Sequence, residues 1–560
     1  MINIHYKSDD FRYIFLTGDQ KELKELEKYL NKIPSYMFLP SYTAPPKPEV
    51  YLNKFKTKDG VVVYWAHSGL YKTIYDWGVE NKVTVNGIEN NLKYTKFDMS
   101  QEDFTAYVKR WNLSVEPRPY QLKAAWLILK YNQSLSELAT RAGKTLIGYI
   151  VFRAAMEKLG VKKILMIVPS IQLVKQGVED MSSYAEFFKS ETVWAQGELC
   201  ESSNLTIGTF QSLVKRADKK SAKYSPSFFS EYDLVCVDEA HKLQCKSINT
   251  ILSQPFMKNV KLKFGFTGTL PDEGTIESFA CHSLMGPTIQ QLKTAELVDE
   301  GYLAKPVITQ IRISHPESES LDNEYITCGE YLVGNDKKVD GKVQKLPEEQ
   351  RRFTMVNVKT LPFGVQQAKR MCTKNEYKDY LIDLCKNTAA NLLMLEQMLV
   401  HNDIKRLDII KRIINSRGNQ NCIVFAHHVE YIKFLAKYIE QYLPQKIVLV
   451  ITGSITLKKR QAIIKTMNEN QDVILVASFA CVGTGLTFKN VDYAINAQSF
   501  KSSIINQQAL GRGLLKSDEK NNFYLYDLID IWPTKRIYSQ GLAKIRLYKK
   551  EKFQFYIKEL

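Results

Sequence analysis

Leu234-Val235-Cys236-Val237 runs directly into Asp238-Glu239-Ala240-His241. Four consecutive apolar residues leave no polar face. A strand of this kind is buried on both sides, as in parallel sheets covered by helices. The stretch therefore points to an α/β architecture. The two carboxylates fall where the strand should emerge, and open α/β sheets bind ligands at the carboxyl ends of their strands. Adjacent acids there suit two jobs: one holds the water shell of Mg²⁺, the other orients or deprotonates a water. Solvated acids at a strand end would produce the same letters, so a second signal has to decide.

That signal lies upstream. Leu138-Ala139-Thr140-Arg141-Ala142-Gly143-Lys144-Thr145 precedes the apolar helical pattern Leu146 to Val151. A loop of small residues entering a helix can turn its backbone N–H groups toward phosphate oxygens. Lys144 can then reach the β- and γ-phosphates, and the Thr145 hydroxyl can ligate Mg²⁺. The generic phosphate loop has Gly five residues before Gly143, where this chain has Leu138. The loop and the acidic strand together point to nucleotide binding.

The length of 560 residues suits several domains, and a 44% apolar fraction is ordinary for globular proteins. No run approaches the ~18 apolar residues of a membrane span, and the first residues lack the pattern of a secretory signal. Nine cysteines are scattered without a Cys-x-x-Cys pair, which indicates neither a zinc site nor a disulfide framework. A cytoplasmic location is expected. The net charge of +17 suggests a polyanionic partner, most simply nucleic acid.

Four segments follow from the patterning. Residues 1–112 read as a small α+β module: a strand at Phe11–Leu16, a helix over Asp19–Leu30, and a hairpin around Lys58-Asp59-Gly60 between β-formers. Ser100 opens a capped helix running to Trp111. Residues 113–300 read as a first α/β domain. Strands are expected at Ile164–Val168, Leu205–Phe210 and Lys263–Phe266, and Tyr120-Gln121 lies at the start of a helix. Residues 301–535 read as a second α/β domain without a phosphate loop. It is entered by a crossover through 301–315 and interrupted by an insertion near 316–400, with helical patterns at 377–386 and 391–400. Its strands are expected at Cys422–Phe425, Ile447–Ile451, Val473–Val476, Tyr493–Ile495 and Tyr524–Leu528. Residues 536–560 are expected to form a helical tail.

The motifs in order resemble those of superfamily-two helicases with the DEAH motif. Tyr120-Gln121 matches the glutamine motif, Thr140–Thr145 the Walker A motif, and Asp238-Glu239-Ala240-His241 the Walker B motif letter for letter. Thr267-Gly268-Thr269 matches the coupling motif. Ala477-Ser478 through Thr484-Gly485 is similar to motif five, and Gln508-Ala509-Leu510-Gly511-Arg512 to motif six. Within the superfamily the chain most resembles phage recombination helicases, through Glu116-Pro117, Ala477-Ser478-Phe479, Lys489-Asn490 and Asp527-Leu528-Ile529-Asp530.

The resemblance implies two tandem RecA-like parallel-sheet domains with a small N-terminal α+β, DNA-binding domain. It implies an ATP-dependent DNA helicase or translocase that remodels forked or branched DNA, using ATP and Mg²⁺. Tyr120, Gln121, Thr140, Arg141, Ala142, Gly143, Lys144, Thr145 and Gly485 would bind the nucleotide, with Gln121 reading adenine. Thr145 and Asp238 would hold Mg²⁺. Lys144, Asp238, Glu239, Gln508 and Arg512 would be catalytic, with Glu239 activating water. His241, Thr267 and Thr269 would couple hydrolysis to movement. Ser170, Thr209, Gln211, Thr452 and Thr484 would contact nucleic acid: a fork, a junction, a duplex or an RNA–DNA hybrid. A monomer is expected, with no membrane partner.

One departure stands out. The family's sixth motif carries a second arginine three residues after the first, and here that position is Leu515. Its loss motivates a rival reading, a nucleic-acid-binding scaffold with weak ATPase activity. A further alternative keeps the fold but makes the chain an RNA helicase or the motor subunit of a restriction complex.

Overall fold

The computed structural model describes residues 1–7, 10–33, 47–87, 94–188, 191–194, 204–315, 325–331, 337–339, 342–344, 352–357, 400, 403–482, 488–498, 521–532 and 535–560. These fall into two compact units, Met1–Glu300 and Gly301–Leu560.

The first unit begins with a five-stranded mixed sheet. Ile2–Lys7 and Asp10–Gly18 pair antiparallel, as do Leu52–Lys56 and Val62–His67. Alternation sends Ile2, Ile4, Ile14 and Leu16 to one face, all but sealed from solvent. The helix Gln20–Leu30 covers that face with Leu23, Leu26 and Leu30 at helical spacing, and Asp19 caps it by accepting from Lys21 N and Glu22 N. This module is docked on the next domain. Arg12 Nη1 donates to the Gln254 carbonyl at 3.2 Å, Lys32 Nζ to Gly274 O at 2.6 Å and the Tyr51 hydroxyl to Ile276 O at 3.2 Å. Phe279 inserts between Tyr29 and Tyr51, with ring centroids 5.3 and 5.9 Å away. Gly69 passes so close that a Cβ there would lie 2.1 Å from the His282 carbonyl.

A seven-stranded sheet follows, with every pairing parallel. Its order is Thr288–Leu292, Gln133–Leu138, Leu262–Thr267, Leu234–Asp238, Ile164–Val168, Leu205–Thr209 and Glu191–Trp194. The acid-bearing strand is fourth of seven, so both of its edges are paired, and Leu234 to Val237 are fully buried. Because the strands are parallel, the phosphate loop, Asp238, Thr267, Ser170 and Thr209 all emerge at one edge.

The second unit holds another seven-stranded parallel sheet. Its order is Ile447–Ile451, Val473–Ser478, Cys422–Ala426, Tyr493–Asn496, Asn522–Ile531, Lys305–Ser314 and Gln554–Glu559. Two expectations change here. Residues 301–315 are more than a crossover: Lys305–Ser314 is a ten-residue strand paired on both sides. The expected helical tail is helix over Arg536–Lys550 and then returns as the edge strand Gln554–Glu559. In the insertion, Tyr325–Tyr331 pairs antiparallel with Arg352–Asn357 and Lys337–Val339 with Lys342–Gln344. The helical patterns at 377–386 and 391–400 lie, Val400 excepted, outside the described residues. Among the described residues no helix is long and apolar enough to cross a membrane.

The helix Arg536–Lys550 is pinned by a fully enclosed ion pair, Lys544 Nζ to Asp527 Oδ1 at 2.5 Å. Asn496 Nδ2 and the Tyr548 hydroxyl donate to the same carboxylate at 3.1 and 3.2 Å. Burial pulls Lys544 below its ordinary range and Asp527 offsets part of that pull. Removing one partner strands the other charge in the core, so Lys544→Met should cost about 3–5 kcal/mol in urea denaturation. Lys544→Met combined with Asp527→Asn should recover most of the loss. Equal loss in both variants would show that the pair's charge is not what matters.

Candidate nucleotide and nucleic-acid site

The strand Gln133–Leu138 feeds a loop that enters the helix Lys144–Leu159. Arg141 and Gly143 both take left-handed backbone conformations, with φ of +72° and +76°. Left-handed residues alternating with right-handed ones curl the backbone N–H groups into an anion-binding concavity. The first helical turn carries no acid to oppose an anion.

The loop is buttressed from below. The Ala142 carbonyl accepts from the Tyr120 hydroxyl at 3.1 Å and from Gln121 Nε2 at 2.9 Å. Arg118 Nη1 donates to the Tyr120 oxygen at 3.0 Å, and Gln121 Oε1 accepts from Arg118 N at 2.8 Å. Both ends of the Gln121 amide are thus engaged inside the protein. Reading a base would have to use its second Nε2 proton and the second lone pair of Oε1. Gly143 packs on this same amide: a Cβ there would lie 2.2 Å from Gln121 Nε2.

Lys144 meets the acids across the adjacent strand ends. A Cβ built on Gly268 would lie 3.6 Å from Lys144 Nζ and 3.5 Å from Thr140 Oγ1, so these groups converge. Glu239 sits in a left-handed conformation, φ +54°, and its N–H donates to Asp238 Oδ1 at 3.0 Å. Burial alone would raise the Glu239 carboxyl, yet Lys144 and the hydrogen bond with His241 bring it below the usual carboxylate range. Asp238 goes the other way, raised by burial and by the Glu239 charge against the smaller pull of Lys144. Glu239 is therefore the more readily ionised of the two, which suits a group that accepts a proton from water.

The three residues expected to couple hydrolysis to movement are in one network. His241 Nδ1 lies 3.3 Å from Glu239 Oε2 and 3.0 Å from Thr267 Oγ1. The Thr267 hydroxyl donates to Thr269 O at 3.0 Å, and Thr269 N returns a bond to it at 3.3 Å. His241 and Thr267 are buried, which makes such a network stiff.

Two residues here escape sequence reasoning. Glu137 Oε1 accepts from Leu270 N at 3.0 Å, tying the strand before the phosphate loop to the segment after Thr269. The Asp180 carboxyl is raised by burial, and its charged form is favoured by Gln176 and by the Thr145 hydroxyl. Glu137 lies just before the phosphate loop and Asp180 beside Glu179, but neither belongs to a motif, and only the packing reveals their contacts.

Thr145 and Asp238 supply hard oxygen donors, which fit Mg²⁺. The nucleic-acid candidates of this unit are also neighbours. Ser170 caps the helix Ile171–Tyr184 and Thr209 the helix Phe210–Ala217. Gln211 Nε2 donates to Pro169 O at 3.3 Å. Val168 and Thr209 are register partners, which places all three at two adjacent strand ends. In the second unit Thr452 is buried at the end of the strand Ile447–Ile451, with its hydroxyl 3.1 Å from Ser454 Oγ. Thr484, Gly485, Gln508, Arg512 and Leu515 lie outside the described residues.

Gly143→Ala should both strain the left-handed backbone and collide with Gln121. A strain of about 1–3 kcal/mol corresponds to a loss of roughly 5- to 150-fold in nucleotide affinity, measured with a fluorescent ATP analogue. Unchanged affinity would remove the packed loop from the account.

Residues 114–272 match the family model described as "Type III restriction enzyme, res subunit", and residues 405–514 match "Helicase conserved C-terminal domain". The chain is 25% identical over 489 residues to the ATP-dependent DNA helicase uvsW of Enterobacteria phage T4, covering 83% of this chain and 82% of that protein. It is 26% identical over 205 residues to the DNA 3'-5' helicase XPB of Mycobacterium tuberculosis, covering 36% and 35%. Among solved structures, the ATP-dependent Type ISP restriction-modification enzyme LlaBIII bound to DNA superposes with a TM-score of 0.52 at 14% identity, over 80% of this chain and 31% of that one. That last likeness establishes the fold of the tandem parallel sheets. The ordered motifs, the two domain matches and the phosphate loop facing a buried acid pair lead to one assignment: the chain belongs to the superfamily-two helicases, ATP-hydrolysing enzymes, and is similar to UvsW.

Proposed function

We propose that this protein is an ATP-driven DNA motor of the UvsW type, which remodels forked or branched DNA during recombination, repair or replication. The observation that carries the reading is the placement of Lys144 beside an acid pair wired through His241 to Thr267 and Thr269. Similarity to UvsW over most of the chain supports DNA as the partner, and the net charge of +17 supports a polyanion.

In this reading the phosphate loop and Lys144 hold the β- and γ-phosphates. Thr145 and Asp238 would hold Mg²⁺, which neutralises phosphate charge when bound. Glu239 takes a proton from the attacking water. Changes at Glu239 pass to Thr267 and Thr269 through His241. Gln508 and Arg512 are assigned by motif to the developing charge on the γ-phosphate. Ser170, Thr209 and Gln211 contact DNA backbone, with Thr452 and Thr484 supplying the same from the second unit. Such contacts carry little sequence information, so recognition follows DNA structure and weakens steeply with salt.

Leu515, where the family has a second arginine, favours a second reading, a scaffold that binds ATP with little turnover. Steady-state ATP hydrolysis separates the two when measured at one salt concentration without nucleic acid and with single-stranded DNA, duplex, forked junction and matched RNA. Strong stimulation by forked DNA is expected. Glu239→Gln should keep ATP binding and lower turnover by about 10²–10⁴-fold, and Lys144→Ala should lose both. ATP binding without turnover on any substrate would select the scaffold. Preferential stimulation by RNA would select an RNA helicase.

A further inference from the structure

At the carboxyl ends of Lys305–Ser314 and Asn522–Ile531, outside the nucleotide-site motifs, three side chains of metal-ligating type converge. His315 Nε2 lies 3.0 Å from Asp530 Oδ1 and 3.8 Å from Asp403 Oδ2, and all three donor atoms fall within 4.8 Å of one another. The side chains are 9%, 1% and 15% exposed, so solvent does not satisfy them freely.

The hydrogen bonds leave one carboxylate oxygen of the cluster without a donor, while Arg406 Nε is buried without an acceptor. Asp530 Oδ2 is taken by the fully buried Arg406, which also donates to the Ala497 carbonyl at 2.5 Å. Asp403 Oδ1 caps the helix Ile404–Ser416 by accepting from Lys405 N at 3.1 Å. Asp403 Oδ2 is buried with no hydrogen-bond partner. Nε2 carries one proton in any protonation state that can donate there. That proton serves Asp530 at 3.0 Å and leaves Asp403 Oδ2 unserved. One cation between the three atoms would satisfy all of them.

The spacing suits such an ion. Bonds of about 2.0–2.1 Å at tetrahedral angles separate ligand atoms by roughly 3.3 Å, between the 3.0 and 3.8 Å that separate His315 Nε2 from the two carboxylate oxygens. Two devices hold the donors in place. The imidazole lies flat on the Trp532 indole, centroids 3.7 Å apart and planes 5° off parallel. Arg406 orients the Asp530 carboxylate from its far oxygen, the kind of outer contact that fixes metal ligands. Arg406 also neutralises one carboxylate charge, so the cluster carries one net negative charge, which a divalent ion converts to one net positive charge.

We propose that His315, Asp403 and Asp530 form a binding site for a divalent transition-metal ion taking nitrogen and oxygen donors, of the Zn²⁺ or Mn²⁺ class. One imidazole and two carboxylates suit these ions better than Mg²⁺ or Ca²⁺, which favour all-oxygen shells. The bound ion braces two adjacent strands and the start of a helix within the second unit. The site is distinct from the nucleotide site, and the proposal does not rest on the motor reading.

The test uses the full chain without nucleotide, stripped with chelator and dialysed against Zn²⁺ or Mn²⁺. Metal content is measured by elemental analysis and affinity by calorimetry. About one equivalent of metal is expected in the wild type and in Asp238→Asn, with at least a tenfold weaker Kd in His315→Gln and Asp403→Asn. Asparagine is as good a helix cap as aspartate, so Asp403→Asn keeps the helix start while weakening the donor. Thermal melting gives a second readout, with Zn²⁺ raising the wild-type Tm and not that of His315→Gln. Absence of saturable binding in the wild type, or binding undiminished in both cluster variants, would overturn the proposal.

Discussion

An ammonium set against two buried carboxylates is the interaction that the first unit is arranged to hold. Burying an ionised group without a partner costs several kcal/mol, so Asp238 and Glu239 persist at the sheet's edge only with Lys144 beside them. Lys144 is delivered by a helix whose start depends on two left-handed residues, Arg141 and Gly143. Those conformations in turn rest on the Tyr120 and Gln121 donors that fix the Ala142 carbonyl. The carboxylates are delivered by the central strand of the sheet, which cannot shift without breaking two ladders. Phosphate arriving in the loop would compete with the acids for the same ammonium. Nucleotide binding therefore alters the charge environment of Glu239 directly, and His241 and Thr267 are its immediate neighbours.

Much of this was legible in the letters, for a physical reason. Strands buried on both faces in a parallel sheet need apolar residues throughout, so Ile164–Val168, Leu234–Asp238, Cys422–Ala426 and Val473–Ser478 announce themselves as continuous runs. Strands whose composition departs from that rule did not. Gln133–Leu138 reads Gln-Ser-Leu-Ser-Glu-Leu, and its serines are buried despite their hydroxyls. Lys305–Ser314 contains a proline and mixes polar with apolar side chains without a continuous apolar run, so it resembled a connection rather than a paired strand. The edge strand Gln554–Glu559 is largely exposed and followed a helix that seemed to end the domain.

The site divides along the same line. Contiguous motifs such as Gly143-Lys144-Thr145 and Asp238-Glu239-Ala240-His241 could be found because their chemistry needs fixed spacing. Glu137 and Asp180 could not, because they reach Leu270 and Thr145 through packing. Gln121 illustrates a subtler limit. Its position was legible, but an amide can face a ligand or its own backbone, and only coordinates distinguish those. The cluster of His315, Asp403 and Asp530 is the extreme case, since its three members are scattered along the second unit and share no spacing rule.

The second sheet has a strand order that bears on how the protein is made. Lys305–Ser314 has both its neighbours, Asn522–Ile531 and Gln554–Glu559, far downstream, and the Arg312–Glu559 ion pair spans 247 residues. On a ribosome, Met1–Glu300 can complete its sheets from residues already synthesised. Lys305–Ser314 has to wait, with both edges unpaired, until more than two hundred further residues have emerged. Long-range pairing of this kind is slow, and open strand edges invite pairing with other chains. Folding of the second unit is thus gated by translation, and a nascent chain stalled before residue 522 carries a finished first unit beside an orphaned strand.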